Sequence, residues 1–190
     1  MRGRAMRARV VRGNPSNTLS MGAVMADQPY HIEKFAGGAR IEIDTDRARL
    51  DYRVIHGFLV QSHWAHGIPM ATLKRAISGS LPFGLYRDGR QVGFARVVTD
   101  RATFAYLADV FVLPEARGQG LGRWLVEGIL AHAGLQGLRR WLLGTRDAQG
   151  LYRKVGFGEP PTPFTFLERL DQDIYAVAAE APRRRLRRVV

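Results

Sequence analysis

The sequence predicts an α/β (α+β) chain with a largely antiparallel sheet, and three observations predict it. Alternating apolar runs stop and restart around Asp88-Gly89; from Gly120 the apolar spacing changes from two residues to that of a helix; and a short apolar run follows that helix. With 190 residues and 46% hydrophobic content, the chain can bury one core and is short for two.

Residues 14–40 show no sustained period, so they read as a flexible lead-in ending in a short strand at Arg40 to Ile43. The expected organisation is a basic extension over 1–38, a single ordered domain over 39–170, and a basic tail over 171–190. Leu50, Val54, Ile55, Phe58 and Leu59 recur at helical spacing. A second helix is expected from Pro69 to Ser78, with Met70, Leu73 and Ile77 inward and Gly79 as its stop. The link between these helices, His63-Trp64-Ala65-His66-Gly67, is aromatic for a loop. Phe83 and Leu85 alternate with small or polar neighbours before Asp88-Gly89, and Val92, Phe94 and Val98 alternate after it. An Asp-Gly pair in that position marks a hairpin, because the primed turn needs positive φ. A third strand over Phe104 to Leu113 completes an antiparallel meander. Leu121, Trp124, Leu125 and Ile129 then follow a helix, Arg140 to Thr145 reads as a buried strand, Ala148 to Val155 as a helix ended by Gly156, and Phe164 to Leu170 as a last strand.

The formal charge of +12 suggests a polyanion partner until its location is considered. Five arginines lie in residues 1–13 (Arg2, Arg4, Arg7, Arg9, Arg12) and five in 183–188 (Arg183, Arg184, Arg185, Arg187, Arg188). That leaves 19 basic against 17 acidic residues over 14–182, so nucleic acid is the disfavoured partner and solvated tails are favoured. Met21 and Met25 offer alternative starts that would drop the basic leader. The absence of cysteine excludes disulfides, a thiolate nucleophile and zinc-thiolate sites. No stretch approaches a membrane span or the apolar run of a signal peptide, so a cytoplasmic location is expected.

Gly118, Gly120 and Gly122 lie between a strand and an amphipathic helix. Free amides at a helix N-terminus point at an anion, and glycine lets phosphate approach the backbone. Arg117 adds a charged donor. No Gly-Lys-Ser/Thr follows, and the spacing misses the dinucleotide GxGxxG pattern, so neither a Walker loop nor a Rossmann turn fits. A tight strand-to-helix connection is the competing reading.

The run from Leu107 through Asp109, Val112 and Pro114 to Arg117-Gly118-Gln119-Gly120-Leu121-Gly122 closely resembles motif A of the GNAT N-acetyltransferase superfamily, Arg/Gln-x-x-Gly-x-Gly/Ala. Asp147-Ala148-Gln149-Gly150-Leu151-Tyr152-Arg153-Lys154-Val155-Gly156-Phe157 is similar to the family's motif B, a helix carrying a tyrosine and ending in Gly-Phe. Many members carry an asparagine early in motif B; this chain has Asp147 or Thr145 nearby. The resemblance covers about residues 40–170. It implies a mixed, largely antiparallel central sheet with helices on both faces, of acyl-CoA N-acyltransferase type, splayed between its fourth and fifth strands. It further implies acetyl-CoA as cosubstrate, its arm along Phe111, Val112 and Leu113 and its pyrophosphate on Arg117, Gly118, Gln119, Gly120, Leu121 and Gly122, with Asp147 at the other end.

Acetyl transfer needs a neutral amine, oxyanion donors and a proton for the departing thiolate, and no metal. By resemblance Tyr152 is the acid, with the N–H of Val112 or its neighbour on the carbonyl. Asp109 stands in an apolar strand, where a carboxylate either serves as a base or is a structural group bonded to backbone or to an arginine such as Arg96; both readings stay open. His63 and His66 are alternative proton acceptors, and as a metal pair they lack a third ligand. Trp64, His66 and Tyr106, with Phe83 and Phe104, either wall an acceptor pocket or belong to the core. The expected activity is acetylation of a primary amine on a small molecule or peptide, against a rival reading as a non-catalytic CoA-binding module. A homodimer is left open.

Overall fold

The computed structural model describes residues 29–161 and 165–175. Both arginine-rich ends, Met21, Met25 and Phe164 lie outside them. A hairpin opens the fold: β1 (His31–Ala36) and β2 (Ala39–Asp44) join through Gly37-Gly38. β1 therefore falls inside the stretch read as a flexible lead-in. As an edge strand, mostly exposed, it has no apolar alternation to announce it.

Helix α1 (Tyr52–Leu59) starts where the Asp51 carboxylate accepts from the amides of Arg53 and Val54. Helix α2 (Met70–Ser78) stops at Gly79 as expected. Then β3 (Leu81–Arg87), β4 (Arg90–Thr99) and β5 (Phe104–Val112) form the meander, with Asp88 and Gly89 both at positive φ. Helix α3 (Leu121–Leu130), β6 (Arg140–Leu142) and α4 (Gln149–Arg153) follow. The strand expected up to Thr145 ends at Leu142. No strand forms over Thr165–Leu170. Phe166, Leu167 and Leu170 do not alternate and so give no single face to bury; Leu167 is 94% exposed.

The six strands lie in the order β1-β2-β3-β4-β5-β6. Only β5 and β6 pair in parallel, which makes the sheet mixed and largely antiparallel. Each face has its own core. On one, Ile41, Ile43, Phe83, Leu85, Val97, Ala105 and Leu107 meet Leu121, Leu125, Val126 and Ile129 of α3. On the other, Ile55, Leu59, Leu73 and Ile77 of α1 and α2 meet Phe94 and Phe111. Each such side chain contributes about 1.5–3 kcal/mol by leaving water.

β5 serves both cores because it carries a bulge. Phe94 pairs with Phe111 and Arg96 with Ala108, so Asp109 and Val110 together oppose one residue of β4. Asp109 takes φ 54°, a left-handed conformation that aspartate tolerates better than most residues. Ala105 and Leu107 face α3 before the bulge, and Val110 and Val112 do so after it, which turns Phe111 to the opposite core.

Candidate active site

The β5–β6 ladder is three pairs long and ends at Tyr106 and Leu142. Pairing stops there, so the opening lies between the fifth and sixth strands and not between the expected fourth and fifth, because β1 adds a strand ahead of them; residues 107–112 of β5 have no ladder partner on that side among the described residues. The glycine loop follows the C-terminal end of this unpaired stretch. Parallel strands that separate leave backbone donors and acceptors along an edge, ready to bond an extended ligand.

Past β5 the chain makes one tight turn over Pro114–Ala116 and enters the loop. Gly118 and Gly120 hold φ of 75° and 72°, and a Cβ on either would touch nothing within 4 Å, so these glycines are required by conformation and leave the backbone open. Gly122 has a different reason. Its missing Cβ would stand 3.3 Å from Leu151 and 3.7 Å from Val112, so it lets α3 close on α4 and β5. The first helical bond runs from the Trp124 amide to the Gly120 carbonyl, and no side chain caps the amides before it. Leu121 turns its side chain into the core, leaving only its amide for a ligand. Arg117 donates from Nε to the Val112 carbonyl at 2.9 Å and lies 6.0 Å from the Phe58 ring. Gln119 accepts from Arg87 at 3.2 Å. Leu113 packs on the α1–α2 core.

Tyr152 is buried on α4 with its ring edge-on to Phe157, 5.9 Å away. Thr145 accepts from the Ala148 amide at 3.0 Å just ahead of that helix. Burial first, then the charges of Asp147 and Tyr106, push the Tyr152 phenol above its usual pKa, which keeps it a proton donor at neutral pH. Asp147 is exposed beside it. Asp109 is engaged: its Oδ2 accepts from Arg96 Nε at 2.5 Å, and its side chain is 8% exposed.

Across the sheet from α3, Phe111 stacks on Phe58 with ring centroids 4.0 Å apart, and Phe58 meets Trp64 at 6.2 Å. His63 stands edge-on to Trp64 at 4.9 Å. His66 is exposed in the same link. Tyr106 is half-exposed, its hydroxyl 3.5 Å from where a Cβ on Gly144 would stand. Phe83 lies elsewhere, wholly buried against Tyr30 and His132. Among the described residues, the side chains close enough to share a metal ion are His31, Glu33 and Glu42 at the far edge of the sheet, where Arg40 and Arg49 already meet the carboxylates. Spacing gave least notice of Phe58, which shares the apolar face of α1, and of Gly144, which has no side chain; Arg96, one of the partners expected for Asp109, is the partner found.

The model of the acetyltransferase (GNAT) family matches residues 52–157. The chain belongs to that family. Among solved structures it is similar to a GNAT-family protein of Xanthomonas campestris pv. campestris, provisionally assigned as an acetyltransferase. The two are 50% identical with a TM-score of 0.68, over 72% of this chain and 96% of that one. It is also 36% identical over 135 residues to a protein of Gibberella zeae provisionally assigned as an acetyltransferase, covering 59% of this chain and 75% of that relative. An aminoglycoside N-acetyltransferase solved with CoA shares the fold at 20% identity and a TM-score of 0.51, over 70% of this chain and 97% of that one. This GNAT protein is an acetyl-CoA-dependent N-acetyltransferase. No helix among its described residues is long and apolar enough to cross a membrane.

Proposed function

We propose that the enzyme acetylates a primary amine of a small molecule or peptide. The cosubstrate pyrophosphate lies on the loop of residues 117–122, and its arm lies along Phe111, Val112 and Leu113. The observation that carries this reading is the meeting of uncapped α3 amides with the unpaired edge of β5. The fit is physical: the loop backbone at Gly118 and Gly120 is clear of neighbouring atoms, and Arg117 stands beside it to add charge. Asp147 borders the same opening at its α4 side.

The neutral amine attacks the thioester carbonyl carbon, forming the C–N bond as the C–S bond breaks. The Val112 N–H or its neighbour supports the oxyanion. Tyr152 gives its proton to the departing sulfur, and the proton lost by the ammonium passes to water or a base. His63 and His66, exposed in the link between α1 and α2, are the candidates to receive it through water. Trp64, His66 and Tyr106 line the acceptor's approach. The Arg96 contact favours a bulge-holding role for Asp109, the other expected catalytic residue.

The test begins with CoA and acetyl-CoA, which should raise the melting temperature of the wild type by mass action. Gly120→Val should lose that rise, since valine resists φ 72° and covers the open backbone. A screen of amines for CoA release then identifies the acceptor. A Gly120→Val variant stabilised like the wild type would remove the loop from the site.

A further inference from the structure

We infer that Tyr106 sets the upper length of the acyl group this acetyltransferase carries, by closing the narrow end of the opening between β5 and β6. The inference rests on the cosubstrate placement proposed above. The anion loop lies beyond the C-terminal end of β5, and pairing closes the two strands at Tyr106 and Leu142, the last ladder pair. An arm that leaves the loop and follows β5 therefore points its acyl end at that pair.

Tyr106 stands where the acyl group would arrive. Its neighbours Ala105 and Leu107 feed the α3 core, so alternation puts Tyr106 on the other face, where it is 40% exposed. Its side chain reaches across to the chain that continues β6, with the hydroxyl 3.5 Å from the Cβ position of Gly144. A residue without a side chain thus faces a phenol across the apex, and the phenol fills the space. Tyr152 senses the charge of Tyr106, so the proposed acid for the sulfur stands near the same end of the gap. On this placement an acetyl group ends short of the phenol, and a longer chain must displace it.

Affinity reads this without the acceptor. Calorimetry would compare CoA with its acetyl, propionyl, butyryl and hexanoyl thioesters. The wild type should bind acetyl-CoA about as well as CoA, and butyryl- and hexanoyl-CoA at least about tenfold more weakly, as expected when methylenes are forced into filled space. Tyr106→Ala should bring the long thioesters close to acetyl-CoA while leaving CoA affinity unchanged. Tyr106→Phe should keep the discrimination, because the ring does the excluding. Gly144→Ala, whose new methyl would meet the hydroxyl at 3.5 Å, should sharpen it against propionyl-CoA. Butyryl-CoA binding the wild type as tightly as acetyl-CoA, or a ratio unmoved in Tyr106→Ala, would overturn the inference and leave the cosubstrate site standing. Failure of CoA itself to bind would remove both.

Discussion

Arginine holds carboxylates in two regions of this sheet, and the two are built differently. At the β1–β2 edge, Asp44 accepts from Arg49 at 2.6 Å, His31 at 3.0 Å and the Asp46 amide at 2.7 Å, while Glu42 meets Arg49 at 3.2 Å and Arg40 at 3.1 Å. Arg49 also lies over the Tyr86 ring at 4.3 Å. In the β5 bulge, one carboxylate meets one guanidinium. The first arrangement anchors an edge through many shared partners; the second fixes the conformation of a single bulge residue. Shared networks carry stability, whereas a lone pair at a bulge carries geometry.

The largest effect that would break this contrast lies at the edge. Arg49→Met leaves two buried carboxylates short of charge and should cost about 3 kcal/mol in denaturant unfolding, with CoA affinity retained. The loss should depend on pH. Burial raises the pKa of Asp44, but the Asp46 amide, Arg49 and His31 outweigh it and hold the carboxyl below its ordinary 3.8. A depressed pKa stabilises the fold above the unfolded-state value, and that contribution disappears as pH falls through the folded one. The gap between wild type and variant should therefore be full at neutral pH and shrink below about pH 4. An equal loss at pH 3 and pH 7 would remove the network from the account.

Tyr152→Phe should come next, and in rate rather than stability. The ring's packing on Phe157 survives, while a positioned acid contributes about 10² to 10⁴, so kcat should fall at least tenfold with CoA affinity nearly unchanged. Turnover at the wild-type rate with the acceptor found, where chemistry limits, would end the acid assignment. The smallest effect belongs to Asp109→Asn. Asparagine also tolerates the left-handed conformation, so the loss of stability should be about 1.5 kcal/mol, the low end for a bond between charged groups. Its kcat should then change little and show no recovery at high pH. A large loss relieved at high pH, where more amine is neutral, would make Asp109 the base instead.

The sequence announced those parts of the fold whose signals are local. Asp88-Gly89 marked its hairpin because the turn itself demands positive φ, and the three loop glycines marked the helix start. The helix that carries Tyr152 was legible because motif B is a continuous run. β1 was missed because His31, Glu33 and Lys34 spell an exposed edge. The expected strand beyond Pro163 failed because apolar content without alternation does not define a face. Neither the Arg96–Asp109 bond nor the approach of Tyr106 to Gly144 is local; both depend on which strands pair and where a ladder stops. The Arg49 network depends likewise on the pairing of β1, β2 and β3, which no spacing in the chain reveals.

The bulge at Asp109 also bears on how this protein can change over time. Between Leu107, which faces α3, and Phe111, which faces α1, the three residues are one more than strict alternation allows. Most substitutions there alter one contact. Straightening β5 with every residue kept would turn the ring that stacks on Phe58 into the α3 core and send Val110 and Val112 to the opposite side, whereas deleting the extra residue would leave all three on their present faces. Lineages that lack one residue across 108–110 should therefore keep both cores and lose only the left-handed position that Asp109 fills.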